Sequence, residues 1–480
     1  MPQESLKEKT VKGLAWSSID NFASLGITFV FSILLARLLT PQDYGTIALL
    51  TIFIAVSNVF INSGFSSALI RKPDLTEKDK STAFYFNVVV GLVAYGVLFL
   101  VAPLASAFYG MPVLTPLLRV TGVSVILTSL AIVQQAELSI KIDFRRQAMV
   151  SVATAVFSGC IGIYFALNGY GVWALAIQQV TKETLRTGLF WIIVRWHPTE
   201  KFSKESFKYL FGFGSKLLAS GLLASVWDNV YPIVIGKVFS PIQLGLYSRA
   251  QQFANFPSSN LTGVLQRVTF PVLSKMQNED ERLRNNYRQL LRMSAFVIFP
   301  LMLGLSATAN PFIRIVLGEK WAGCAIYLQI ICFAMMWYPI HAINLNLLQV
   351  KGRSDLFLKI EIIKKLVGIV FLVATVPFGL VVMCFGQIVS SLFCLFINTY
   401  YTGKLINVGF FVQMKDLMST FFTSFSMWGI VLVLVNIFHN KWLQMGCGVF
   451  VGSTMFLGMS SLLQSSEYKD LLKIICRLKK

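Results

Sequence analysis

Charge is what this sequence has least of. Only 13% of its 480 residues are Asp, Glu, Lys or Arg, against 55% hydrophobic, whereas soluble domains are about a quarter charged. A chain of this length cannot cover a water-facing surface with so few charges, so lipid must be the solvent for most of it. A mean hydropathy of +0.66 agrees. Histidine is scarce too: His197, His341 and His439 are too scattered to form a metal-ligand set. The seven cysteines, Cys160, Cys324, Cys332, Cys384, Cys394, Cys447 and Cys476, are odd in number and show no C-x-x-C spacing. Neither a disulfide framework nor a zinc site is signalled. No G-x-x-x-x-G-K-S/T loop occurs, so ATP is not the direct fuel. No linker is long enough to hold a soluble domain.

What charge there is leans basic, 42 Lys and Arg against 22 Asp and Glu, a net +20. The basic residues come in short bursts between apolar runs rather than on a continuous face or arm, which argues against a nucleic-acid partner. At about 20 apolar residues per crossing, fourteen spans are expected, at 13–37, 44–70, 83–109, 113–137, 147–167, 170–194, 210–236, 244–272, 290–317, 323–350, 355–377, 380–402, 417–438 and 441–463. The first run is too long for a signal-peptide core and has no small-residue cleavage site after it, so it is expected to remain as a membrane helix. Lys and Arg crowd alternate loops: Lys7, Lys9 and Lys12, then Arg71 to Lys80, Lys141 to Arg146, Arg195 to Lys208 and the tail from Lys469. The other set offers little beyond Lys237, Lys320 and Lys441. By the positive-inside bias both termini are cytoplasmic.

One corner occurs twice. "LLARLLTPQDYG" at 34–45 returns two hundred residues later as "VIGKVFSPIQLG" at 234–245, pairing Arg37 with Lys237, Thr40 with Ser240, Pro41 with Pro241 and Gly45 with Gly245. At a spacing of 208, Pro103 and Gly110 match Pro311 and Gly318, Arg145 matches Arg353, Gly171 matches Gly379 and Gln179 matches Gln387. These matches fall at equivalent places in the topology. The fold expected is an all-α polytopic membrane protein of two six-helix lobes, 1–205 and 206–403, with 404–480 appended as two helices and a basic tail. An even number of spans per lobe gives both the same orientation, hence a pseudo-two-fold axis along the membrane normal and a cleft that can open alternately to either side.

Polar residues inside spans are costly and mark a face turned to protein or water. On the eighth span Arg249, Gln252, Asn255, Ser259, Asn260, Thr262, Gln266 and Arg267 fall on one arc at about 100° per residue. Asn58 and Asn62 on the second span repeat this in thinner form. An interhelical hydrogen-bond seam is the competing reading, but so many large polar groups on one arc favour a hydrated cavity. The intramembrane charges are mainly basic: Arg119, Lys182, Arg186, Lys216 and Arg249, with Lys364 and Lys365, against Asp20, Glu183, Asp228 and Glu361. A structural ion pair such as Glu183 with Arg186 is an alternative for any of them. A cleft of positive potential favours an anionic substrate, with Arg suited to forked phosphate contacts.

The strings "LLARLLTPQDYGTIAL", "GFSSALIRKPDLTEKDKSTAFYFN", "RVTGVSVILTSLAIVQQAEL", "DFRRQA", "GYGVWALA", "RWHPTEKFS", "WDNVYPIVIG", "LGLYSRAQQFANFP" and "VLGEKWAGCA" resemble the polysaccharide transport family. Its members are flippases for lipid-linked oligosaccharides, in the superfamily that holds the MATE drug exporters. The likeness runs over roughly residues 10–405. It implies a MATE-like fold and a multi-pass protein of the bacterial cytoplasmic membrane. It also implies alternating access around a basic cavity and a substrate of sugar units on undecaprenyl pyrophosphate, for O-antigen, exopolysaccharide or capsule synthesis. Arg249, Asp228 and Arg186 sit at charged family positions, while Lys182 and Glu183 depart from the small or apolar residues usual there.

On this reading the protein is a transporter and not an enzyme, monomeric, without a bound cofactor. It would be coupled to a proton or sodium gradient through Asp228, Asp20 or Glu183, with a polymerase and chain-length proteins as downstream partners. Lys216, Arg119, Lys182, Arg186 and Arg249 would line a basic cavity, and Asn58, Asn62, Gln252, Asn255 and Asn260 would supply its polar wall. The alternatives are a lipid II flippase, a MATE-type exporter, which would need more acidic residues, and a membrane polymerase or ligase, for which the external loops are too short.

Overall fold

In the computed structural model, which describes residues 23–62, 64–463 and 467–469, every regular element is helical. The chain divides into two compact units, Met1–Gly245 and Leu246–Lys480. The first holds α1 (Ala23–Leu38), α2 (Pro41–Asn62), α3 (Phe65–Arg71), α4 (Glu77–Tyr109), α5 (Leu114–Ile140), α6 (Phe144–Leu167), α7 (Val172–Val194), α8 (Lys204–Val238) and the opening turn of α9 (Pro241–Lys275). The second holds the rest of α9 with α10 (Asp280–Ala307), α11 (Ala309–Val316), α12 (Cys324–Met335), α13 (Tyr338–Val350), α14 (Ser354–Thr375), α15 (Leu380–Ile406), α16 (Phe410–Ile437) and α17 (Lys441–Leu462).

The compact units part at 245, whereas the lobes expected from the sequence divide at 205. The reason is that α8, the first helix of the expected second lobe, packs along α2, α3 and α4. Its side of that contact is made small by Gly221, which faces Val59, and Gly236, which faces Leu49.

Among the described residues ten helical stretches are long and apolar enough to cross a membrane, counting α2 with α3 and α12 with α13 as one each; α1 is a shorter apolar helix. The remaining expected spans form helices too, as α7, α9 and α14, but fall short in apolarity. They are the helices that carry Lys182, Glu183 and Arg186, then Arg249 and Arg267, then Lys359, Glu361, Lys364 and Lys365. Polar groups at such depth need protein or water beside them. The outer surface is lipid-like. Along α4, Val89, Val93, Val97, Leu100 and Leu104 stand exposed, Leu100 at 74%.

Each repeated corner builds the same helix start. Thr40 Oγ1 accepts from Asp43 N at 3.3 Å while Asp43 Oδ2 accepts from Thr40 N at 2.9 Å. Ser240 Oγ accepts from Gln243 N at 3.2 Å while Gln243 Oε1 accepts from Ser240 N at 3.4 Å. These are reciprocal capping boxes with Pro in the first helical position, where its missing N–H costs nothing. The hydroxyl-Pro-x-carbonyl pattern was conspicuous in the sequence because it starts helices.

In the first unit α5 packs against α4 and α7, and α7 against α6. Thr187 Oγ1 donates to the Leu127 carbonyl at 2.8 Å and Trp191 Nε1 to the Leu130 carbonyl at 3.0 Å, fixing α7 on α5. In the second unit α16 lies on α10, where Arg288 grips the buried Asp416 with two bonds of 2.7 and 2.6 Å. A buried amide cluster adds specificity: Asn344 and Gln413 exchange bonds of 3.0 and 3.1 Å, and Thr402 donates to Asn344 Oδ1 at 2.6 Å.

Candidate functional site

Three helices of the first unit turn polar stripes towards one another. Asn58 and Asn62 lie one turn apart on α2, Ser124, Thr128 and Gln135 follow one face of α5, and Gln179, Glu183 and Arg186 recur at i, i+4 and i+7 on α7. Such spacings place each set on a single helix face. With Ala131 and Ile132 they enclose a cavity of about 310 Å³, at the lower end of the range for ligand sites.

Arg186 organises its floor. One terminal nitrogen, Nη2, donates to Gln135 Oε1 at 2.7 Å and the other, Nη1, to Glu183 Oε2 at 3.3 Å. Thr128 Oγ1 donates to that same carboxylate oxygen at 3.5 Å. The Arg186 guanidinium also lies 5.7 Å from the centroid of the Phe190 ring. It is thus held by an amide, a carboxylate and an aromatic face, and its side chain stays 31% exposed. Asn58 Oδ1 is buried and accepts no hydrogen bond among the described residues, so it retains an acceptor that a ligand hydroxyl could use. Amides, hydroxyls, the Arg186 guanidinium and the Glu183 carboxylate form a donor–acceptor mixture that sugar hydroxyls match, and the one cation and one anion on the wall leave it without the net positive charge expected from sequence.

An apolar groove elsewhere in the first unit has the wrong chemistry for such a head group. A groove of about 620 Å³ between α2 and α4 is lined by Ile52, Phe53, Val56, Phe60, Val89, Val93 and Val97, and suits only hydrocarbon.

The second unit presents its own polar set on α9. Arg249 is buried at 6% exposure, and its Nη1 donates to Gln252 Oε1 at 2.5 Å. Gln251 Nε2 donates to Asn255 Oδ1 at 3.0 Å. Gln387 on α15 donates to the Tyr247 hydroxyl at 2.7 Å. On the opposite side of α9, Ala250, Phe253 and Ala254 are buried, leaving Gln252 exposed and Asn255, Ser259 and Asn260 half-buried. The arcs do not divide into a packed and an open side, since Arg249 and Thr262 of the polar arc are buried at 6% and 2% while Val264 opposite is 43% exposed.

Of the residues singled out from sequence, Asn58, Asn62, Glu183 and Arg186 meet in one cavity, and Arg249, Gln252, Asn255 and Asn260 share a helix in the other unit. Lys182 is exposed and outside the cavity wall. Arg119 stacks on Phe99, its Cζ 3.9 Å from the ring centroid, and is not a lining residue either. Asp228 is an exposed residue of α8. Asp20 and the Lys216 side chain lie outside the described residues. Ser124, Thr128 and Gln135 line the cavity without being among the residues expected there from sequence. Their i, i+4, i+11 spacing was the available signal, diluted in a sequence where Ser and Thr also bond their own helix. Gln179, which the sequence marks only as the repeat partner of Gln387, lines the cavity, and Gln387 bonds Tyr247 in the other unit.

The family described as polysaccharide biosynthesis protein matches residues 34–326, more than half of the chain. The teichuronic acid biosynthesis protein TuaB of Bacillus subtilis is 27% identical over 356 residues, 73% of this chain and 73% of that protein. The lipopolysaccharide biosynthesis protein WzxC of Escherichia coli is 25% identical over 432 residues, 88% of this chain and 85% of that one. Among solved structures, the lipid II flippase MurJ in its inward closed conformation shares the fold with a TM-score of 0.76 at 16% identity, over 95% of this chain and 99% of that one.

Proposed function

The chain belongs to the polysaccharide biosynthesis protein family, and from that premise we propose that it is a flippase for undecaprenyl-pyrophosphate-linked oligosaccharides. It carries repeat units from the cytoplasmic to the outer leaflet of the bacterial cytoplasmic membrane, both termini inside, to supply a polymerase. The observation that supports this most is the polar cavity anchored by Arg186 within helices whose outer faces are apolar.

The physical task is to take a charged, hydroxyl-rich head group past hydrocarbon. Moving bare phosphate into a medium of dielectric about 4 would cost tens of kcal/mol. The chain lowers that cost by offering substitutes for water: amides of Asn58, Asn62, Gln135 and Gln179 for the sugar hydroxyls, and the Arg186 fork for phosphate. Arg249, buried on α9 and bonded to Gln252, is a separate cation of the second unit. The isoprenoid tail never leaves the bilayer. A proton or sodium gradient acting at Asp228 or Glu183 drives the cycle, and the protein works as a monomer.

The test is reconstitution. Vesicles carrying the protein should move a fluorescent undecaprenyl-pyrophosphate oligosaccharide between leaflets, and Arg249→Ala should slow that movement while inserting normally. Protein-bearing vesicles that flip no faster than empty ones would refute the proposal.

A further inference from the structure

The wall formed by α2, α5 and α7 is rich in unused acceptors. Its two hydroxyls spend their hydrogens on their own helix. Ser124 Oγ donates to the Thr121 carbonyl at 2.6 Å, and Thr128 Oγ1 to the Ser124 carbonyl at 2.8 Å, nearer than its 3.5 Å to Glu183. Both oxygens therefore meet a ligand as acceptors. Asn58 Oδ1 is a third, buried without a donor among the described residues. Glu183 contributes the strongest. Arg186 and Thr128 both approach its Oε2, at 3.3 and 3.5 Å, whereas Oε1 accepts no hydrogen bond among the described residues. The Glu183 side chain is 17% exposed, so its carboxylate sits in a largely enclosed space where water and salt screen it little.

The competing reading is an i, i+3 ion pair with Arg186 that only steadies α7. A single contact of 3.3 Å is a weak pair of that kind, and it leaves one carboxylate oxygen over. Charge decides what that oxygen accepts. A sugar hydroxyl or ammonium gains a charge-assisted hydrogen bond there. A ligand carboxylate at the same place meets a like charge with no donor between them, a juxtaposition that rejects a wrong partner. Among these lining residues Arg186 is the one cation, and Gln135 and Glu183 already hold it. On the flippase reading it is needed for phosphate, so no cation is left for an acidic sugar. The cavity is also small, about 310 Å³, and reads a few hydroxyls of one sugar rather than a whole repeat unit.

We propose that Glu183 is a charge filter on the glycan. It selects a neutral or amino sugar, gripped through its hydroxyls at Glu183 and Asn58, and rejects a uronic acid at that position. This rests on the flippase reading for its ligand and adds which class of sugar the site takes.

Two synthetic lipids that differ at one carbon provide the test: undecaprenyl-pyrophosphoryl glucose and its glucuronic acid counterpart. Binding of each to the full protein in nanodiscs is measured by competition against a fluorescent undecaprenyl-pyrophosphate oligosaccharide. The wild type should favour the glucose lipid by about tenfold or more, the factor that one charge-assisted hydrogen bond supplies. Glu183→Gln keeps the shape and an acceptor while removing the charge, and should bring the ratio close to one. Glu183→Lys should invert it. Pyrophosphate is common to both lipids, so any change in the hold of Arg186 on phosphate cancels in the ratio. A wild-type ratio near one, or a ratio that Glu183→Gln leaves unchanged, would overturn the filter and reduce Glu183 to steadying α7. Vesicles that flip both lipids equally well would remove the filter and leave the flippase reading standing. Binding of neither lipid would overturn both.

Discussion

Truncating Arg186 to Ala should weaken substrate engagement by a definable amount. Arg186 now spends one terminal nitrogen on Gln135 Oε1 at 2.7 Å and the other on Glu183 Oε2 at 3.3 Å. If phosphate oxygens replace these partners during transport, each charge-assisted bond contributes about 1.5–3 kcal/mol net. Loss of one such bond is roughly a 10- to 150-fold weaker interaction at 1.4 kcal/mol per decade. The guanidinium is 31% exposed, so screening favours the lower half of that range. The assay is flipping of the fluorescent lipid-linked glycan across a series of substrate densities, with thermal unfolding as a control. Arg186→Ala should raise the half-saturating density by at least tenfold with little change in melting temperature, since Glu183 keeps Thr128 and solvent contact. Arg186→Lys should fall between, because a single ammonium cannot span Gln135 and Glu183 as a planar fork does. A wild-type half-saturation in Arg186→Ala would refute the phosphate role.

Two further substitutions probe coupling and assembly. Asp228→Asn removes the exposed carboxylate of α8 and should alter the dependence of flipping on an imposed proton or sodium gradient; identical dependence in variant and wild type would remove Asp228 from that role. Arg288→Ala leaves the Asp416 carboxylate, only 5% exposed, without its two short bonds. A cost of about 2–3 kcal/mol is expected for stranding a largely buried charge whose partner was partly solvated, read as a lowered melting temperature in detergent. Arg288→Lys should recover part of it.

The repeated corner was legible because capping chemistry is local: a hydroxyl, Pro and a side-chain carbonyl in four residues suffice to start α2 and α9. The purpose of the terminal glycine was not legible. Gly45 and Gly245 are two hundred residues apart, and only the folded chain reveals that each lies against the other's corner. Ten of the fourteen expected spans are long and apolar enough to cross a membrane among the described residues, and the polar helices α7, α9 and α14 carry the charges that set them apart. Which of those charges converge could not be read from periodicity. Arg186 and Lys182 are four residues apart and so neighbours on one face of α7, yet Arg186 joins Gln135 across the cavity and Lys182 stands exposed, a difference that helical spacing does not reveal. The grouping of α8 with the first compact unit was likewise hidden: Gly221 and Gly236 look like ordinary membrane-helix glycines until their neighbours on α2 are known.

The central claim is that the glycan-phosphate head enters the cavity walled by α2, α5 and α7. A photoreactive phenylalanine analogue placed at Gln179 on that wall, or at Val93 in the apolar groove, tests it directly in vesicles loaded with radiolabelled undecaprenyl-pyrophosphate oligosaccharide. Illumination should give an adduct through the sugar portion at Gln179 and none through sugar at Val93. Equal sugar adducts at both positions, or none at Gln179 while transport proceeds, would contradict the account.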